Sequence, residues 1–141
     1  MNVSCSKCGE VLTSDLRPIK ESKAFDEESA PSYSQSQHWM KKGVFFLTKS
    51  EKYNWTFEDS GIEGYYAVIK IPETLTVSHL SMVKGALPEL DTGNGSGCCR
   101  VGHGAKLSCP KCSAALGTIH MDCMEDGSIR FNPKKVMRNY T

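Results

Sequence analysis

The sequence predicts a mainly β fold, with antiparallel sheets and little helix, and three observations carry the prediction. Short runs rich in aromatic and β-branched residues recur through the middle of the chain, bounded by turn-forming residues. No stretch sustains apolar residues at i, i+3, i+4 and i+7 over three turns, the spacing an amphipathic helix needs. A Cys-x-x-Cys turn stands at either end, Cys5 with Cys8 and Cys109 with Cys112, so that cross-linking of distant segments is written into the chain.

Taken in order, residues 1–13 (MNVSCSKCGEVLT) read as a knuckle between two short extended pieces, with Gly9 placed for a turn of positive φ. Residues 20–38 are poor in large apolar side chains and rich in serine and acid, and read as a long surface loop. The segment from Trp39 to Leu80 is expected to supply the core. GVFFLT (43–48), KYNWTF (52–57) and YYAVIKI (65–71) read as three strands in a meander, and TLTVSHL (74–80) as a further strand in preference to the start of a short helix through Ser81 to Ala86. Residues 84–106, with glycines at 93, 95, 97, 102 and 104, form a second long loop; GNGSG within it lacks the Lys-Ser/Thr and helix of a phosphate loop. Beyond it come the second knuckle, a strand, a turn at Asp126-Gly127 and a last strand ending before Pro133, and then a small basic tail with Lys134, Lys135 and Arg138. Trp39, Phe45, Phe46, Tyr53, Trp55, Phe57, Tyr65 and Tyr66 are spaced as strand residues and read as core, or as a binding face where exposed.

A chain of 141 residues and 15.6 kDa fits one domain over residues 1–141. With 39% hydrophobic and 23% charged residues its composition is globular, and no apolar run approaches the roughly 20 residues of a membrane-spanning helix. Seventeen basic against 16 acidic residues give no electrostatic support for nucleic acid or an anionic membrane. The N-terminus shows no basic segment followed by an apolar one, and the expected location is the cytoplasm.

Seven cysteines in such a chain point to metal or redox chemistry in preference to a disulfide framework. Two Cys-x-x-Cys turns supply four thiolates, which suits a closed tetrahedral zinc site held by Cys5, Cys8, Cys109 and Cys112. Lys7 and Lys111, at the third position of each knuckle, are placed to soften its negative charge. A closed four-thiolate site leaves no open position, so the zinc is expected to be structural.

A longer pattern surrounds the second knuckle: Cys109-Pro-Lys-Cys112, then Leu116-Gly117, His120, Cys123 and Ile129-Arg130-Phe131. It resembles the zinc-bearing B-type methionine sulfoxide reductases and, more widely, the split-knuckle β-tent proteins that include cereblon's ligand-binding domain and the Rab-exchange-factor-like proteins. The resemblance covers residues 3–14 and 107–133 and implies two antiparallel sheets meeting over a zinc that ties the two knuckles together. It also implies Cys123, six positions before Ile129, as the counterpart of the reductase nucleophile. Glu125 stands where that family has Asn, and its Gly-Trp-Pro-Ser-Phe segment has no counterpart here.

Two functions follow, and a third, zinc-ribbon binding of nucleic acid, has the knuckles in its favour but not the charge. The first is a non-enzymatic zinc-stabilised module that binds an unidentified protein or small ligand. The second is a thiol-dependent oxidoreductase, with Cys123 as nucleophile and Cys98 or Cys99 as resolving thiol, needing these thiols to be reactive and close. The plainer reading makes Cys99 and Cys123 small core residues and His103 and His120 surface or hydrogen-bonding groups. The binding module is preferred, because the reductase pattern is matched at the cysteine and not around it.

Overall fold

The computed structural model describes residues 1–32, 38–88, 103–121 and 125–140, with His103 and Gly104 described by their backbone alone. The described chain is mainly β, and no helix in it reaches seven residues. Twelve strands run in the order β1 (Asn2–Cys5), β2 (Arg17–Pro18), β3 (Phe25–Asp26), β4 (Trp39–Met40), β5 (Val44–Thr48), β6 (Trp55–Asp59), β7 (Tyr66–Lys70), β8 (Thr74–Ser78), β9 (His103–Ser108), β10 (Ala115–His120), β11 (Ser128–Phe131) and β12 (Val136–Asn139).

The central sheet has six strands in the order β2-β5-β8-β11-β10-β9, antiparallel throughout except for β2 beside β5. Its register explains its two faces. The cross-strand rows Phe45–Val77–Ile129–Ile119–Ala105 and Leu47–Leu75–Phe131–Gly117–Leu107 alternate with the row Phe46–Thr76–Arg130–Thr118–Lys106. Side chains in a strand point to opposite faces in turn. The first two rows therefore share one face, where they join Val3, Leu12, Leu16 and Val136 in the main apolar core. The opposite face carries Thr48, Thr76, Thr118, His120, Ser128 and Arg130, polar yet buried.

β1 and β12 form a separate antiparallel pair over the apolar face, with Cys5 opposite Val136. The residues read as a basic tail thus include a strand: Arg138 pairs with Val3, and Lys135 lies 3.8 Å from Glu58. β6 and β7 form their own hairpin, and β3 pairs with β4.

Three expectations need correction. The three middle strands do not form a meander: β5 is flanked by β2 and β8, and after it the chain turns off the sheet, Tyr53 N–H donating to Ser50 O, before β6 begins. The aromatic middle is not the main core either. Phe46 and Trp39 are buried, but Tyr65 is exposed and Tyr53, Trp55, Phe57 and Tyr66 are only partly covered, whereas β1, β8, β10 and β11 fill the interior. Residues 20–38 contain a 3-10 turn (Glu21–Lys23) and β3, and the second loop gives way to β9 at His103. The strands at 74–78, 115–120 and 128–131 lie where the sequence places them, with a 3-10 turn at His79–Ser81 after the first.

Candidate metal centre

Each Cys-x-x-Cys turn is closed by the same two backbone hydrogen bonds. The Cys5 amide donates to Glu10 O and the Gly9 amide to Cys5 O, both at 2.9 Å. In the second knuckle the Cys109 amide donates to Ala114 O at 2.8 Å and the Ser113 amide to Cys109 O at 3.0 Å. Both turns need positive φ at the residue after the second cysteine. Gly9 has φ of 81° and Ser113 has φ of 65°, the latter alone among the described non-glycine residues. The repeated geometry aims both thiols of each turn to one side.

The knuckles come from different sheets that share one apolar core. β1 carries the first knuckle out of the β1–β12 pair, and the second caps the β9–β10 hairpin. Ser6 donates from both its amide (3.1 Å) and its hydroxyl (2.9 Å) to Lys135 O, fastening the first knuckle to the start of β12. Cys5 and Cys109 are themselves part of the apolar core. Lys111 lies 3.9 Å from Glu10, linking one turn to the other, so its charge is shared with a carboxylate instead of being directed wholly at the sulfurs.

The four Sγ atoms lie within 4.8 Å of one another. Cys5 and Cys112 sulfurs are 3.7 Å apart and Cys8 and Cys109 sulfurs 3.6 Å. These distances exclude disulfides, whose sulfurs are about 2.0 Å apart. They match a tetrahedral thiolate site, in which metal–sulfur bonds of about 2.3 Å set the sulfurs about 3.8 Å apart. The arrangement can hold a metal ion. Among the described residues, no other group of three or more His, Cys, Asp or Glu side chains converges in this way.

As thiols, the four are unequal. The Ala114 amide, hydrogen-bonded to Cys112, draws that thiol down to about 7. At Cys8 the Glu10 amide favours the thiolate, but burial and the neighbouring thiols of Cys109, Cys112 and Cys5 outweigh it and push the group up to about 12. Burial also raises Cys5, against hydrogen bonds from the amides of Cys8 and Lys7. Four sulfurs this close do not all ionise without a cation between them. Cys5 and Cys109 are buried, whereas Cys8 and Cys112 are only partly covered.

Cys98, Cys99 and Cys123 lie outside the described residues. His120 is buried, its Nε2 2.9 Å from Thr118 Oγ1 and its Nδ1 3.5 Å from Glu125 Oε2, with the rings of Tyr53 and Trp55 edge-on to it. Sequence reasoning gave no role to Arg130 or to the burial of Glu125. Arg130 was within reach of pattern alone, since it stands between the inward-facing Ile129 and Phe131 and therefore belongs to the other face.

No protein-family model matches the chain, and no curated protein or solved structure is significantly similar to it.

Proposed function

We propose that this chain, over residues 1–141, is a non-enzymatic β-tent-like binding module, with zinc bound by Cys5, Cys8, Cys109 and Cys112 as its structural element. The observation that supports this reading best is the sulfur geometry: two turns 101 residues apart bring four thiols within 4.8 Å of one another, with the Cys5–Cys112 and Cys8–Cys109 pairs at 3.7 and 3.6 Å, the edge length of a tetrahedral metal site. All-sulfur tetrahedral ligation is the preference of zinc, or of iron in iron–sulfur proteins, and not of calcium or magnesium. With four protein ligands no position is left for substrate, so the metal's work is to hold the two ends of the fold together. The partner is an unidentified protein or small molecule. No helix among the described residues is long and apolar enough to cross a membrane. The oxidoreductase alternative, with Cys123 as nucleophile and Cys98 or Cys99 as resolving thiol, rests on sequence spacing alone.

Elemental analysis of protein purified without added metal is expected to give one zinc per chain. Cys5→Ser and Cys112→Ser are each expected to lose the metal and the cooperative melting transition. A normal melting curve in either variant, or a zinc content near zero in the wild type, would overturn the reading.

A further inference from the structure

The polar face of the central sheet holds a cavity of about 390 Å³, distant in the chain from the knuckles, whose walls include Phe25, Phe46, Thr48, Ser50, Tyr53 and Arg130. Its most unusual group is Arg130, a cation only 2% exposed. Nε donates to Ser128 Oγ at 3.1 Å, one terminal nitrogen to Thr48 Oγ1 at 3.2 Å and the other to Asp126 Oδ2 at 2.9 Å. The guanidinium also lies 3.8 Å from the centre of the Tyr53 ring. A guanidinium has five N–H groups, so two remain unspent among the described residues, on a side chain that lines a cavity. Unspent donors on a buried cation are costly unless something accepts from them.

The lining carries two carboxylates, Glu21 and Asp126, beside the one guanidinium, so it is the unspent N–H groups of Arg130 that favour an oxyanion. Asp126, which also lines it, is already occupied by Arg130 and by the amide and hydroxyl of Ser128. Two exposed segments supply the rim, residues 20–23 with the sequence Lys-Glu-Ser-Lys and residues 49–52 with Lys-Ser-Glu-Lys. Glu21 of the first segment lines the cavity, and Lys52 of the second stands beside its wall, Nζ 5.0 Å from the centre of the Tyr53 ring. Ser22 and Ser50 on these segments add hydroxyl donors to the lining. The remaining wall is aromatic, with Phe25 and Phe46 edge to face at 5.8 Å.

We propose that this cavity binds a small ligand carrying a carboxylate or phosphate group on a ring-bearing apolar body, the oxyanion accepting from Arg130 and the body resting against Phe25 and Phe46. The proposal deepens the binding-module reading and rests on it for the protein's being a binder at all. Bidentate acceptance by an oxyanion suits the guanidinium fork, and exclusion from water strengthens the pairing.

The test is an NMR titration of the full chain, with metal content measured before and after, using benzoate, phenyl phosphate, inorganic phosphate and benzylamine as probes. Benzoate or phenyl phosphate is expected to shift the amides of Phe25, Thr48 and Ser50 and the Arg130 side-chain N–H saturably, and whichever binds tighter identifies the ligand as a carboxylate or a phosphate ester. Inorganic phosphate is expected to bind at least tenfold more weakly, and benzylamine to leave these signals unmoved. Arg130→Lys removes the fork, and Ser50→Trp fills the mouth without touching Arg130. Both are expected to weaken binding at least tenfold, the second with an unchanged melting temperature. Equal binding of benzylamine, phosphate binding as tight as phenyl phosphate, or shifts that survive Ser50→Trp would overturn the proposal. A wild-type chain that holds its metal and binds neither benzoate nor phenyl phosphate would remove this cavity alone, whereas a wild-type chain purified metal-free that still binds the anion would remove the zinc reading alone.

Discussion

Ser113 and Gly9 occupy equivalent positions in two equivalent turns, yet only one of them is glycine. A side chain at positive φ costs roughly 1–2 kcal/mol, because Cβ crowds the following carbonyl oxygen. Ser113 is exposed and, among the described residues, its side chain makes no hydrogen bond that would justify the strain. Ser113→Gly is therefore expected to stabilise the folded chain by about 1 kcal/mol, read as a rise in melting temperature at unchanged metal content. The need for positive φ was legible at Gly9 because glycine advertises it. At Ser113 only the knuckle spacing, applied to the second turn by analogy with the first, would have revealed it.

At the scale of the strand, Gly117 shows how a residue can be fixed by its neighbour's backbone. β10 has an irregularity between Ala115 and Gly117 where it meets β9, and a methyl group at Gly117 would press directly on the carbonyl of Arg130 across the β10–β11 pair. The obstacle is main chain, which cannot swing aside as a side chain could. Gly117→Ala is expected to destabilise the chain by about 3 kcal/mol, the upper end of ordinary single-substitution effects, measured by denaturant unfolding of the metal-loaded protein. β8 and β11 were readable because alternation put Leu75, Val77, Ile129 and Phe131 on one face. The buried polar face was not readable, since Thr74, Thr76 and Thr118 look in sequence like solvent-facing strand residues, and what covers them comes from elsewhere in the chain. The meander failed for a related reason. Adjacent strands in sequence usually pair, but the edge of β5 was taken by β8, with Thr48 opposite Thr74, leaving β6 and β7 to pair with each other. Of the candidate site, the convergence of the four thiols was legible, because it is carried by residue type and spacing. Arg130 was legible as a residue of the opposite face, from its place between Ile129 and Phe131, but its burial was not, because that arises from what packs around it.

For the molecule as a whole, a metal at the knuckles closes a loop of about 100 residues, and by the chain-entropy argument for cross-links such a closure is worth on the order of 4–5 kcal/mol. That is a large part of the 5–15 kcal/mol typical of a folded domain. Chelation is accordingly expected to abolish the cooperative melting transition, and acid to make chelation easier. The sign follows from the thiols: Cys112, lowered to about 7, and Cys8, raised to about 12, must both be thiolates to bind metal, so protons compete more strongly as pH falls through 7. Less chelator should be needed at pH 6 than at pH 8 to reach half-unfolding, followed by circular dichroism; an equal requirement would count against thiolate ligation. The pairing of β1 with β12, and of the first knuckle with the second, also sets an order in time. A ribosome adding about 5–20 residues per second needs roughly 5 to 20 s to travel from Cys8 to Cys112, and longer to reach the strand that pairs with β1. Throughout that interval the nascent chain carries a two-thiol half-site beside a strand with no partner. Metal capture by the four thiols would then be among the last events in making this protein, and any pause in translation before Cys109 would prolong the exposure of Cys5 and Cys8 to oxidants and stray metals.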